Sequence, residues 1–237
     1  MCTLSVVPAG DGFRVACNRD ERRTRPIALP PQIRWVVDRR TLWPCDPQSG
    51  GTWIGVNDSG LAMALLNRSV SADAPPPPAL SRGTLIPQLL GAASLETAVE
   101  RARAALKPSG GKRRFEPFTL VMLHRGRAAV VEHRAGVPEV VVRSLGRPLL
   151  FTSSSLGDHL VDGPRRQLFA ALIGSSPRPI DAQARFHRHR WPDRPDVSVC
   201  MARPDAMTVS HTVVDVSTGK VTIGYTAPWG PCSSHSC

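Results

Sequence analysis

The 237-residue sequence lacks any apolar run approaching the roughly 18 residues that a membrane-spanning helix needs. It also lacks a charged leading segment followed by an apolar stretch, so no secretory leader is expected and a cytoplasmic location is. Lysine is nearly absent: three of the 30 basic residues are lysine and the rest arginine. Aromatics make up only 5%, with a single tyrosine. The six cysteines, at positions 2, 17, 45, 200, 232 and 237, show no metal-type spacing. No metal site is therefore expected, and in a reducing compartment the thiols are expected to stay free.

What the sequence has in excess is positive charge, +11 from 30 basic and 19 acidic residues. Such a balance invites a nucleic-acid partner. The arginines, however, are spread along the whole chain. The one basic cluster with aromatics, Arg185-Phe186-His187-Arg188-His189-Arg190-Trp191, has no RNA-recognition or helix-turn-helix context. A solvated loop is expected there, and no nucleic-acid partner. The 41% apolar content suffices for a sizeable core, and a single domain over residues 1–230 with a flexible tail at 231–237 is expected.

The first twenty-one residues organise the remainder. Two apolar-rich runs, Leu4 to Ala9 and Phe13 to Cys17, flank Gly10-Asp11-Gly12, which predicts a β-hairpin with a type II′ turn. Counting outward from the turn places Ala9 opposite Gly12, Val6 opposite Val15, Leu4 opposite Cys17 and Cys2 opposite Arg19. This register gathers Leu4, Val6, Phe13, Val15 and Cys17 on one face, as burial requires. It also sets the Cys2 thiol beside the Arg19 guanidinium and near Asp20. Cys2 follows the initiator methionine, which is usually trimmed before a small residue. Trimming leaves a thiol and a free α-amine on one residue, with reference pKa values of about 8.5 and 8. Such an amine can accept the thiol proton and return it to a leaving group, while Arg19 favours the thiolate.

Further along, Ile33 to Val37 reads as a short strand and Trp43 to Pro47 as irregular. Gly50-Gly51, where close backbone approach is possible, leads into a second hairpin, Thr52 to Asn67. The proline-rich stretch 69–78 is expected to be a stiff loop. Short helical signals cover Thr84 to Gly91, and Ser94 caps a longer helix with Leu95, Ala98, Val99, Ala102 and Leu106 in one stripe. A third hairpin spans Phe118 to His133 across Arg125-Gly126. Strands are expected at 140–142, 149–152, 197–201, 207–214 and 221–225. A helix is expected within Leu156 to Ile173, starting mainly at Gly163-Pro164. Hairpin-rich strands with helices outside give α+β antiparallel sheets faced by helix layers, a four-layer sandwich.

Four of these motifs recur together in a known family. Met1-Cys2-Thr3, Asn18-Arg19-Asp20-Glu21 with Arg25-Pro26, Gly50-Gly51-Thr52-Trp53-Ile54-Gly55, and Gly60-Leu61 through Leu66-Asn67 resemble the Asn-Arg-Asp-Glu family. That family is also called the transport and Golgi organisation family and is similar to the N-terminal-nucleophile hydrolases. The resemblance implies an αββα sandwich with Cys2 as nucleophile, Arg19 and Asp20 flanking it, and Asn67 donating into an oxyanion hole. It also brings Asn18, Trp53, Ser153, Ser154 and Arg203 forward as candidates for the substrate side of the site. Ser153 or Ser154 stands where related amidohydrolases carry a second asparagine, and Arg203 is the candidate for their late supporting arginine. The implied activity is cleavage or transfer of a small-molecule amide or acyl group with no cofactor. The alternative is a non-catalytic protein binding haem, lipid or acyl-CoA, with Cys45, Cys200, Met201 or the Cys232/His235/Cys237 tail as soft ligands.

Overall fold

A computed structural model describes residues 2–68, 80–107, 115–134, 138–174 and 176–227. Strands β1 (Cys2–Ala9) and β2 (Gly12–Arg22) form the leading hairpin. Its pairing is Cys2 with Arg19, Leu4 with Cys17, Val6 with Val15 and Ala9 with Gly12. Gly10 has φ +56°, the sign that the first residue of a II′ turn requires and that glycine adopts at no steric cost.

Strands β3 (Leu29–Val36), β4 (Arg39–Cys45), β5 (Ile54–Asn57), β6 (Ala62–Asn67), β7 (Phe118–His124), β8 (Arg127–His133) and β9 (Glu139–Ser144) follow as a seven-stranded meander. Strands β10 (Leu149–Ser153), β11 (Ala206–Ser217) and β12 (Lys220–Thr226) join the hairpin in a five-stranded sheet ordered β10-β1-β2-β11-β12. All described ladders are antiparallel. Cys2 thus begins a central strand, covered on either side by β10 and β2.

Three apolar clusters correspond to the three interfaces of four layers. Leu4, Val6, Val15, Ile54, Ala64 and Val121 pack between the two sheets. Helices α1 (Leu85–Leu89) and α2 (Leu95–Leu106) cover the outer face of the seven-stranded sheet, where Ile86, Ala98 and Ala102 meet Leu120 and Met122. Ser94 caps α2 as expected, its side chain accepting from the Thr97 amide at 3.2 Å. Helices α3 (Asp158–Phe169) and α4 (Pro179–Arg188) cover the five-stranded sheet, with Phe169 and Phe186 against Val7 and Leu150.

Four sequence expectations are corrected. Trp43 and Pro44 lie in a strand, β4; Pro44 needs no ladder partner because the β3–β4 register is bulged between Leu29 and Gln32. Helix α3 starts at Asp158 and runs through Pro164. Gly163 has no Cβ to clash with the proline ring, and Val161, Arg165 and Phe169 share one buried stripe. The first four residues of the basic cluster, Arg185 to Arg188, end helix α4, with Phe186 and His187 buried and Arg185 and Arg188 exposed, and only residues 189–191 lie in the expected loop. Residues 197–201 are not a strand; the carbonyls of Val197, Ser198 and Val199 accept from side chains instead of from a ladder. The proline-rich stretch 69–78 and the tail lie outside the described residues.

Candidate active site

Cross-strand pairing assembles the site. Cys2 stands between Arg19 on β2 and Ser153 on β10, and its backbone nitrogen donates to Ser153 Oγ at 3.0 Å. The side chain is buried yet reaches the wall of a cavity of about 530 Å³. Cys17 lies one diagonal step away on the same face. The Cys17 thiol hydrogen bond lowers the Cys2 pKa, against burial and the Asp20 charge, and Arg19 adds to the lowering. The same bond, with burial, pushes Cys17 well up. The two thiols therefore shift in opposite directions, Cys2 down and Cys17 up.

Arg19 is held from three directions. Its Nη2 meets Asp46 Oδ2 at 2.5 Å and Glu21 at 3.6 Å, and its guanidinium lies 4.4 Å from the Trp53 ring centre. Arg25 shares Asp46 at 2.7 Å. Burial opposes ionisation of Asp46, but the Arg25 and Arg19 contacts keep its carboxyl below the usual range. Trp53 is buried, and its Nε1–H has no hydrogen-bond partner among the described residues.

Asp20 is buried at the end of the paired region, accepting from Thr208 Oγ1 at 2.6 Å. Burial raises its pKa, opposed by Arg165 and the Thr208 hydrogen bond. Arg165 on α3 is almost wholly enclosed and donates to the carbonyls of Val197 and Ser198 and to Thr3 Oγ1. Asn67, at the end of β6, is exposed on the cavity wall. Its side-chain amide makes no hydrogen bond among the described residues.

Cys2, Arg19, Asp20, Trp53 and Asn67 thus surround one cavity. Ser153 meets Cys2 through its backbone nitrogen. Ser154 caps the turn into α3, its amide donating to Asp158 and its hydroxyl accepting from the Leu156 amide. Arg203 donates to Ser155 Oγ at 3.2 Å and influences Asp20 through space. Asn18 points to the opposite face of the sheet, where its amide donates to the carbonyls of His187 and Val199. Its Oδ1 therefore accepts from both imidazoles, His187 Nδ1 at 3.0 Å and His211 Nδ1 at 2.8 Å. With Nδ1 protonated, His187 Nε2 accepts from Ser5 Oγ at 2.6 Å. Cys45 is half-buried and Cys200 and Met201 are buried. Among the described residues no group of three His, Cys, Asp or Glu side chains is arranged to hold a metal.

The histidine pair makes a testable pH dependence. Burial, then His211 and Arg165, lower the His187 pKa well below 6.5; burial, then Arg188 and Arg14, lower His211 to about 4. The unfolded chain therefore binds more protons than the folded one below pH 6.5. Urea-unfolding free energy is expected to be flat above that pH and to fall as pH drops toward 5. The slope should approach two protons, about 2.7 kcal/mol per pH unit at most, and roughly halve in His211→Gln.

Sequence reasoning missed Asp46, Arg165, the Cys17 thiol and Arg82. Cys17 is already on the inward face of the predicted hairpin, and Asp46 leaves a trace as an acid between two prolines beside the Gly50-Gly51 loop. That loop crosses the Arg82–Thr84 turn in backbone contact: Thr52 N donates to Gly83 O at 2.9 Å, and a Cβ on Gly51 would lie 2.6 Å from the Gly83 carbonyl carbon. Gly51→Ala is expected to cost about 1–3 kcal/mol, read by denaturant titration.

The layers and strand order are those of an N-terminal-nucleophile hydrolase fold. Solved structures agree. An N-acylethanolamine-hydrolysing acid amidase orthologue from Caenorhabditis elegans is 13% identical, with TM-score 0.60 over 90% of this chain and 92% of its own. Penicillin V acylase from Agrobacterium tumefaciens is 17% identical, with TM-score 0.52 over 91% and 80%. A conjugated bile acid hydrolase from Clostridium perfringens is 14% identical, with TM-score 0.54 over 96% and 92%. The chain belongs to the Transport and Golgi organisation 2 family, whose model matches residues 1–161. No curated protein matches it by sequence.

Proposed function

We propose that this protein is a cysteine N-terminal-nucleophile amidohydrolase or acyltransferase acting on a small-molecule amide. The observation that carries this is the position of Cys2, on a cavity wall with its nitrogen 3.0 Å from Ser153 Oγ and with Arg19 as its cross-strand neighbour. Removal of Met1 turns that nitrogen into an α-amine that Ser153 orients. The Cys2 sulfur attacks the amide carbonyl, and the S–C bond forms as the thiol proton passes to the α-amine. The Asn67 side-chain N–H donates to the developing oxyanion, an interaction of the kind worth about 3 kcal/mol. The C–N bond then breaks, the α-amine protonates the departing amine, and an acyl thioester remains on Cys2. Water, or an acceptor amine or thiol, attacks the thioester and restores the Cys2 thiol.

Intact-mass measurement tests the first step: the purified chain is expected to lack Met1. Incubation with amide and acyl-thioester libraries is then expected to add an acyl group at Cys2. A chain that retains Met1 has a peptide nitrogen at Cys2 and no free Cys2 amine to move the proton, and the mechanism fails.

A further inference from the structure

Four guanidinium groups, Arg19, Arg22, Arg25 and Arg82, line the cavity that Cys2 enters. Two are neutralised within the wall: Arg19 by Asp46 and Glu21, and Arg25 by the same Asp46. The other two are not. The Arg22 side chain is exposed and has no ion-pair or hydrogen-bond partner among the described residues. Arg82 is half-buried and, among the described residues, makes one hydrogen bond, from Nη1 to the Pro117 carbonyl at 2.8 Å, which leaves most of its donors uncommitted there. The Glu116 charge acts on it through space, favouring its charged form.

Arg82 is also held there by construction. The Gly50-Gly51-Thr52 loop lies against the turn that carries it, with Thr52 N bonded to Gly83 O and no room for a side chain at Gly51. A fixed, partly desolvated guanidinium facing a ligand cavity is suited to a carboxylate or phosphate, which it can bind in forked geometry. The other acid among the described residues of the wall, Asp20, is engaged with Thr208.

We propose that Arg82, with Arg22, recognises an anionic group on the substrate, so that the amide or acyl compound processed at Cys2 carries a carboxylate or a phosphate. This rests on Cys2 being the nucleophile, and the test separates the two ideas. Cys2 is alkylated with iodoacetamide, which is neutral, and with iodoacetate, which is anionic and otherwise similar. Rates are read by mass spectrometry of the N-terminal peptide and divided by those of free cysteine under the same conditions. In the wild type the normalised iodoacetate-to-iodoacetamide ratio is expected to be about tenfold above that of free cysteine. It should collapse toward unity in Arg82→Met and in Arg22→Gln/Arg82→Met, and recover in Arg82→Lys, with the iodoacetamide rate little changed. Slowing of iodoacetamide by inorganic phosphate but not by acetate assigns a phosphate, and the reverse assigns a carboxylate. A wild-type ratio no greater than that of free cysteine, or one indifferent to Arg82→Met, overturns anion recognition while leaving the nucleophile in place. Failure of both reagents at Cys2 overturns the nucleophile, and this inference with it.

Discussion

Cys2→Ala is expected to fold like the wild type and to lose both acyl-thioester formation and electrophile labelling. The side chain is small and buried, so its removal disturbs little packing. Removing the nucleophile of a covalent-catalysis enzyme lowers kcat by a factor on the order of 10⁶, and the expected residual activity is below detection. Cys17→Ala separates nucleophile from supporting thiol. The Cys17 hydrogen bond is the largest influence lowering the Cys2 pKa, so its loss should move the pH profile of Cys2 alkylation to higher pH. The limiting rate at high pH should be nearly unchanged. Loss of labelling in Cys17→Ala at every pH, with labelling retained in Cys2→Ala, would place the reactive sulfur on β2 and remove the case for an N-terminal nucleophile.

How much of this was legible beforehand divides along a physical line. The hairpin register of β1 and β2 followed from a two-residue turn and a period-2 apolar pattern, because both are local. The same holds for the Arg125-Gly126 hairpin, where Arg125 and Gly126 both take positive φ, and for the Ser94 cap. Helix α4 was hidden because its buried stripe includes Gln183 and His187 beside Ala182 and Phe186, and polar residues break the apolar period. Gln183 is inside because it donates to Ser5, and His187 because Asn18 and Ser5 engage its ring. The segment 197–201 misled in the opposite direction. It has a strand-like composition, but its carbonyls are claimed by Arg165 and Asn18, residues some 30 and 180 positions away. The candidate site shows the same division. Cys2, Arg19 and Asp20 lie in one hairpin and Asn67 came with the family motif, whereas Asp46, Arg165 and Arg82 are brought in by tertiary contacts that no local pattern encodes. Asn18, within the same motif as Arg19, alternates to the opposite face and serves the histidine pair instead of the cavity.

Arg165→Met is expected to be the most destabilising single change among the charged residues. The guanidinium is almost wholly buried, and its charge is the main attraction that keeps Asp20 ionisable against the cost of burial. Losing this attraction together with the hydrogen bonds to Val197, Ser198 and Thr3 costs about 3–5 kcal/mol, which for a chain of this size lowers Tm by roughly 6–20 °C. The pH dependence distinguishes the causes. Burial already raises the Asp20 pKa above its ordinary 3.8, and without Arg165 it rises further. The folded variant then binds a proton that the unfolded chain has released, so folding is favoured at low pH and penalised as pH climbs through the folded-state value. The stability gap between wild type and variant should therefore widen from pH 4 toward pH 7.5 in urea titrations. A gap that stays constant with pH would mean that Arg165 acts through its hydrogen bonds to the Val197 and Ser198 carbonyls, whose loss carries no proton. Thr208→Val, which removes the Asp20 hydrogen bond at 2.6 Å, should widen with pH in the same sense but by less, since Arg165 remains to offset the charge.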